Sequence, residues 1–372
     1  MLWIRETAGA VADLGVLIPI AVALIVLNGL SATAVLLPAA FLYFVVARTY
    51  ALPIAVQPLK AFGAIAIAAG AGSDVIAAGS LLMGVLFTGL GAIGAIDAVA
   101  RWIPQNVIRG VQLCVAILLA KVGYGLVMST PKNFTGQLTR ELSIGLALAL
   151  LAALWLLRGR LSLVAVVLAV CATTYAALTS DTPLAVGPTS LVPPHLRAED
   201  FLTAATLLVI PQIPLTFANS CLAPADAARA YFGDAARAVT PGRLATTLGL
   251  ANLLAGGVSG MPVCHGAGGL SAHYAFGART WRAPFVIGAS LLVIAIGFGS
   301  AVALALPLFP VSVLAALLGV AAATHAQLLR DVRGAGNWLV VVVVASLGVF
   351  ANLAYGVVAG LMLAHLMART TR

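Results

Sequence analysis

The chain has 372 residues, 62% of them hydrophobic and only 8% charged, with a net charge of +9 and a mean hydropathy of +1.11. That balance excludes an ordinary soluble domain and leaves room for one large multi-span membrane domain and little else. Four cysteines (Cys114, Cys171, Cys221 and Cys264) stand far apart with no C-x-x-C pattern, which excludes a disulfide frame and a metal knuckle.

In chain order, the apolar segments of the first half run roughly 10–28, 33–50, 57–70, 75–98, 105–128, 141–157 and 161–180. Glu6 and Asp13 interrupt the first of these, so it is expected to stay as a span and not to act as a signal peptide. After a polar connection over 181–200, the second half continues roughly 201–221, 243–258, 266–277, 283–306, 311–328, 337–351 and 354–368. Fourteen crossings with both termini inside would place fifteen Lys and Arg residues on the inner side. Only Lys121, Lys132, Arg140 and Arg197 would lie outside, and Lys60 within the membrane. Such a bias is the positive-inside signal of a multi-pass protein, expected here in the cell's inner (plasma) membrane with cytoplasmic termini. The basic charge then reports topology, and no nucleic-acid partner is needed to explain it.

The segments at 57–70 and 266–277 are too short for a full span, which takes about 20 residues, and each is third in its half. Around the second, Pro262, Cys264, His265, Gly266, Gly268 and Gly269 break an otherwise apolar stretch. A break at membrane depth is tolerated only where protein or a polar cavity covers it. The pattern predicts extended chain over Pro262–His265 and a half-helix over Gly266–Phe276, with free N–H groups and a positive dipole end facing a cavity. That arrangement makes an anion site.

The two halves echo one another. Ile54–Ala61 aligns with Met261–Gly268, setting Gln57 against Cys264 and Pro58 against His265, and Asp13–Pro19 finds an echo in Ile210–Pro214. Seven spans is an odd number, so the halves, about 1–180 and 201–372, would lie in opposite orientation. The expected fold class is therefore an all-α integral membrane protein of two inverted seven-span repeats, with broken half-helices in spans 3 and 10.

Asp13-Leu-Gly with Pro19, Val56-Gln-Pro-Leu-Lys-Ala61, Pro211-Gln-Ile-Pro-Leu-Thr with Asn219-Ser220, and Pro262-Val-Cys-His-Gly-Ala-Gly-Gly-Leu270 closely resemble the molybdate transporter family, a branch of the sulfate permease superfamily. Ala12 and the pair Ile54-Ala55 depart from the family's usual residues. The resemblance implies the fold shared with uracil permease-like carriers, with spans 1–4 and 8–11 as a core domain and spans 5–7 and 12–14 as a gate domain. The chain ends soon after the last expected span, so the cytoplasmic regulatory domain of many sulfate permeases is not expected.

Lys60 in the first turn of its half-helix is read as a substrate contact rather than a snorkelling surface lysine, because intramembrane charges are usually functional. Gln57, Pro58, Cys264, His265, Gly266 and Gly268 join it as candidate substrate-binding residues, and Asp13 is a candidate for proton coupling. His273 is expected to pack structurally. Gln212, Thr216, Asn219 and Ser220 are uncharged donors along span 8, of which one or two should face the cavity, with Gln212 and Asn219 taken as the candidates. The glycines admit close approach of backbone to a ligand or, equally, of helix to helix.

Two opposed helix N-termini and Lys60 give about +2, which suits a tetrahedral dianion such as molybdate, tungstate or sulfate, and the resemblance puts molybdate first with tungstate or sulfate as alternatives. An ionised Asp13 nearby would cancel about one unit unless it took up a proton. No cofactor is expected, and a homodimer is left open. An intramembrane hydrolase built on Ser259, Cys264 or Ser271 with His265 or His273 gives inverted half-helices no purpose. A metal carrier would need His265 and His273 on one face with a carboxylate, and their spacing gives neither. The expected activity is therefore transport and not catalysis.

Overall fold

The computed structural model describes residues 6–7, 10, 14–100, 102–156, 161–179 and 185–370. Asp13 lies outside the described residues. The first half contributes α1 (Leu14–Val26), α2 (Ala32–Thr49), strand β1 (Val56–Pro58), α3 (Lys60–Ala69), α4 (Ser73–Ala92), α5 (Gln105–Met128), α6 (Arg140–Leu156) and α7 (Leu161–Leu178).

The eighth helical run is not uniform. It reads α8 (Ala198–Ala204), a π-helical stretch Ala205–Val209, α9 (Ile210–Leu215), a second π-helical stretch Thr216–Leu222, and α10 (Ala223–Phe232). Pro211 and Pro214 remove two backbone donors from this run, and the wider π turns accommodate the loss while rotating the side chains that follow. Beyond it come α11 (Pro241–Gly257), β2 (Val263–His265), α12 (Ala267–Ala275), α13 (Arg282–Gly297), α14 (Gly299–Ala305), α15 (Val311–Gln327), α16 (Ala335–Leu347) and α17 (Leu353–Thr370).

Among the described residues, six helices are long and apolar enough to cross a membrane, and a seventh is reached if Arg282–Gly297 and Gly299–Leu308, bent by 79°, form one span. Fourteen uniform crossings are therefore not read off from helix length. The sequence predicts one segment over 283–306, whereas the chain turns sharply at Phe298 between α13 and α14. The last two segments double back instead: a Cβ on Gly356 would lie 2.5 Å from the Val344 carbonyl oxygen, so α17 returns along α16 at backbone contact.

Packing follows a crossed pattern. α11 lies along α4, and α13 lies along α2; α15 packs on α5, with α16 on α5 and α6 on α15. The α4–α11 contact is close because neither helix presents bulk there. A Cβ on Gly249 would fall 2.5 Å from the Thr88 amide nitrogen, so only glycine allows that approach. β1 and β2 form a two-stranded antiparallel ladder, buried at all six positions and packed against α1, α2 and α11.

Candidate functional site

Val-Gln-Pro and Val-Cys-His are extended for a local reason. Pro58 cannot donate a helical hydrogen bond and biases Gln57 towards extended backbone. The ladder pairs Val56 with His265, Gln57 with Cys264 and Pro58 with Val263. Its register is symmetric about Gln57 and Cys264, the two residues that the sequence alignment sets against each other. The same alignment places Leu59 on Gly266 and Lys60 on Ala267, and these are the caps and first residues of α3 and α12. The expected half-helices are therefore both present and begin at equivalent positions.

Neither half-helix has a side-chain cap at its N-terminus. The N–H groups of a first turn have no partner inside the helix, so both ends present donors. Each end is fixed by contacts from other elements. The Leu59 N–H donates to the Pro262 carbonyl at 3.0 Å, and the Val263 N–H donates to Asn252 Oδ1 at 2.7 Å. At the far end of α3, Asn28 donates to the Ala66 and Ala71 carbonyls, each at 3.0 Å.

Both N-termini open on one cavity of about 380 Å³. Its walls include Gln57 and Lys60 from the first half-helix region, Cys264, His265, Gly266, Ala267 and Gly268 from the second, and Gln212, Asn219 and Ser220 from the π-distorted run. Of the sequence-derived candidates among the described residues, Pro58 alone is not a wall. It is buried in the ladder, where its carbonyl faces Cys264 Sγ at 3.7 Å. Thr216 also turns away: its hydroxyl accepts from Gln212 Nε2 at 3.0 Å.

The wall residues are not equivalent. Gln212 Oε1 accepts the Phe62 N–H at 2.9 Å, so this side chain holds the first turn of α3 in place while facing the cavity. His265, fully buried, has Nε2 2.9 Å from Thr247 Oγ1 and its ring edge-on to Tyr50 at 6.0 Å. Expected as an anion contact, it lines the cavity and also brackets the second strand. His273 is structural, as expected: its Nδ1 lies 3.0 Å from the Pro53 carbonyl oxygen.

Gly266 does not need glycine for its backbone, which is ordinary extended chain at φ −127°; it needs glycine because Gln57 lies directly against it. Lys60 makes no ion pair among the described residues.

The structure adds wall residues that the sequence reading missed: Arg109 from α5, and Thr324, His325 and Leu328 from the end of α15 and just beyond it. Arg109 Nε donates to Asp331 Oδ1 at 2.8 Å, and its guanidinium also donates to Gln112 Oε1 at 2.9 Å. His325 is 6% exposed, and its Nδ1 has no hydrogen-bond partner among the described residues. The only sequence signal for this wall was a histidine near the end of an apolar segment, which by itself reads as a core residue.

A family model described as "Molybdate transporter of MFS superfamily" matches residues 5–119 and 204–325. Molybdate transporter 1 of Arabidopsis thaliana is 28% identical over 404 residues, covering 96% of this chain and 86% of that protein. Among solved structures, the transmembrane domain of the cyanobacterial bicarbonate transporter BicA superposes with a TM-score of 0.65 at 18% identity, covering 97% of this chain and 96% of that one. The murine Solute Carrier 26 family member A9 anion transporter, in its inward-facing state, superposes with a TM-score of 0.70 at 16% identity, covering 99% of this chain and 68% of that one. At those identities the structural likeness speaks for the fold, an integral membrane transporter fold. The family match spans more than half of the chain and includes both half-helices, so this chain belongs to the molybdate transporter family.

Proposed function

We propose that this protein carries a tetrahedral oxyanion across a membrane, with molybdate as the first substrate and tungstate or sulfate as alternatives. The observation that carries this reading is the meeting of two half-helix N-termini, neither capped by its own N-cap side chain, and Lys60 on one cavity. Together they supply about +2 of charge, with no acidic wall residue among the described residues. Arg109 contributes little further charge at rest, because Asp331 neutralises it.

The anion would rest between first-turn N–H groups of α3 and α12, with Lys60 as a direct ion partner. Gln212 would act by fixing the first turn of α3, and Asn219 and Ser220 would complete the polar wall. The ladder, the half-helices, α1, the α8–α10 run and the α2, α4, α11 and α13 pairs would form a core domain, and the α5–α7 and α15–α17 groups a gate domain. Alternating access would come from movement of one against the other. The wall at Arg109 and Leu328 leads towards the Arg330 and Arg333 side, which the charge bias assigns to the cytoplasm. The cavity therefore corresponds to an inward-open state. Cytoplasmic termini, an inner-membrane location and a homodimer belong to the same reading.

Uptake of labelled molybdate into proteoliposomes, with excess sulfate as competitor, tests it. Saturable uptake that sulfate reduces weakly is expected. An absence of molybdate uptake by protein that is correctly folded and inserted would overturn the reading.

A further inference from the structure

Gly268 stands apart from the other residues of the second half-helix. It is exposed, it lines the cavity, and a Cβ added to it would meet nothing within 4 Å. In a helix the Cα–Cβ bond tilts towards the N-terminus, so that Cβ would project in the direction in which the first-turn N–H groups point. A second observation marks the same space as a ligand's. His325, on another wall, is a buried imidazole whose Nδ1 has no hydrogen-bond partner among the described residues, and a buried polar atom left unmatched is costly.

We propose that Gly268 sets the size limit of the anion site: the absent side chain leaves room for a large tetrahedral oxyanion, and one added methyl group would favour a smaller one. This rests on the oxyanion reading above. The donors at this end are backbone groups, so the chemistry of recognition is the same for molybdate, tungstate and sulfate. What differs among them is the radius at which their oxygens meet the N–H groups. Discrimination therefore falls to the volume left beside the donors, and Gly268 is the position where that volume is free.

The substitution Gly268→Ala tests this without threatening the fold, because alanine is the stronger helix former and the space it enters is empty. Purified wild type and Gly268→Ala would be titrated with molybdate, tungstate and sulfate, using direct binding and competition. The expected result is a loss of about tenfold or more for molybdate and tungstate, with sulfate held within about threefold, so that the ratio of affinities shifts towards sulfate. Gly268→Val should then weaken all three. An unchanged ratio in Gly268→Ala, or an equal fall for every anion that binds, would overturn the size limit while leaving oxyanion transport intact. Wild-type protein that binds none of the three would overturn the oxyanion reading itself, and this inference with it.

Discussion

A Cβ placed on Gly266 would lie 2.2 Å from Gln57 Oε1. The glycine that caps one half-helix is thus matched to a side chain on the opposite strand of the ladder. Gly266→Val should displace Gln57 from the cavity wall and weaken molybdate binding by about tenfold or more, or about 1.4 kcal/mol. Cys264→Ser keeps size and extended geometry beside it and should bind within about threefold of wild type. Isothermal titration of both variants checks this, and the reverse order would show that the anion is held elsewhere.

Lys60 is a cationic wall residue with no ion pair among the described residues, and it provides about half of the positive charge assigned to the site. Lys60→Met should abolish uptake while the protein still inserts and folds. Lys60→Arg should recover little, because a forked guanidinium does not replace a compact ammonium. Proteoliposome uptake alongside a thermal unfolding curve separates loss of transport from loss of fold.

Gln212 bridges the Phe62 N–H and the Thr216 hydroxyl. Gln212→Leu leaves the Phe62 donor buried without its partner and should cost about 1–3 kcal/mol of stability. It should also reduce molybdate affinity, because the first turn of α3 loses its support. A variant with unchanged melting temperature but lost binding would instead make Gln212 a direct ligand.

Asp331 is 44% exposed and neutralises Arg109, whose side chain is 15% exposed at the cavity rim. Asp331→Asn should leave Arg109 free to attract the anion and should speed or tighten binding a few-fold at low salt. The gain should fade as ionic strength shortens the range of the charge to about 8 Å near physiological salt. Arg109→Met should lack the gain at every salt concentration. Stopped-flow or equilibrium binding across a salt series distinguishes the two.

Topology can be read by labelling engineered cysteines. Thr189 is a poor site, because its hydroxyl lies 2.6 Å from Ser31 Oγ and accepts the Thr33 N–H at 2.9 Å. Leu191, 44% exposed, and the exposed Ala235 serve instead. Leu191→Cys should react with an impermeant reagent from outside and Ala235→Cys only from within.

The half-helices were legible in the sequence because proline and clustered glycine interrupt apolar stretches that would otherwise read as spans. The extended chain over Pro262–His265 was legible as well, and the alignment of Ile54–Ala61 with Met261–Gly268 set Gln57 against Cys264, but the antiparallel ladder, which pairs Pro58 with Val263 and not with His265, was not. The wall at Arg109 and His325 was not, because nothing in a linear pattern brings α5 and the end of α15 to the N-termini of α3 and α12. The bend at Phe298 is marked only by Gly297, Gly299 and Ser300, small residues that membrane-spanning helices also carry without bending. In span 8 the individual facing residues could not be assigned by helical spacing, since two π-helical stretches change the angle between successive side chains.

The ladder between β1 and β2 also has an electrostatic consequence. Its backbone frame treats the two halves alike, yet the position equivalent to Lys60 is Ala267, so the frame is balanced and its charge is not. An anion between the two sets of N–H donors would be pulled towards the Lys60 flank, and its resting place would lie off the axis through Gln57 and Cys264. Two inverted halves can in this way hold an ion by shared main-chain geometry while a single lysine gives the site a preferred side.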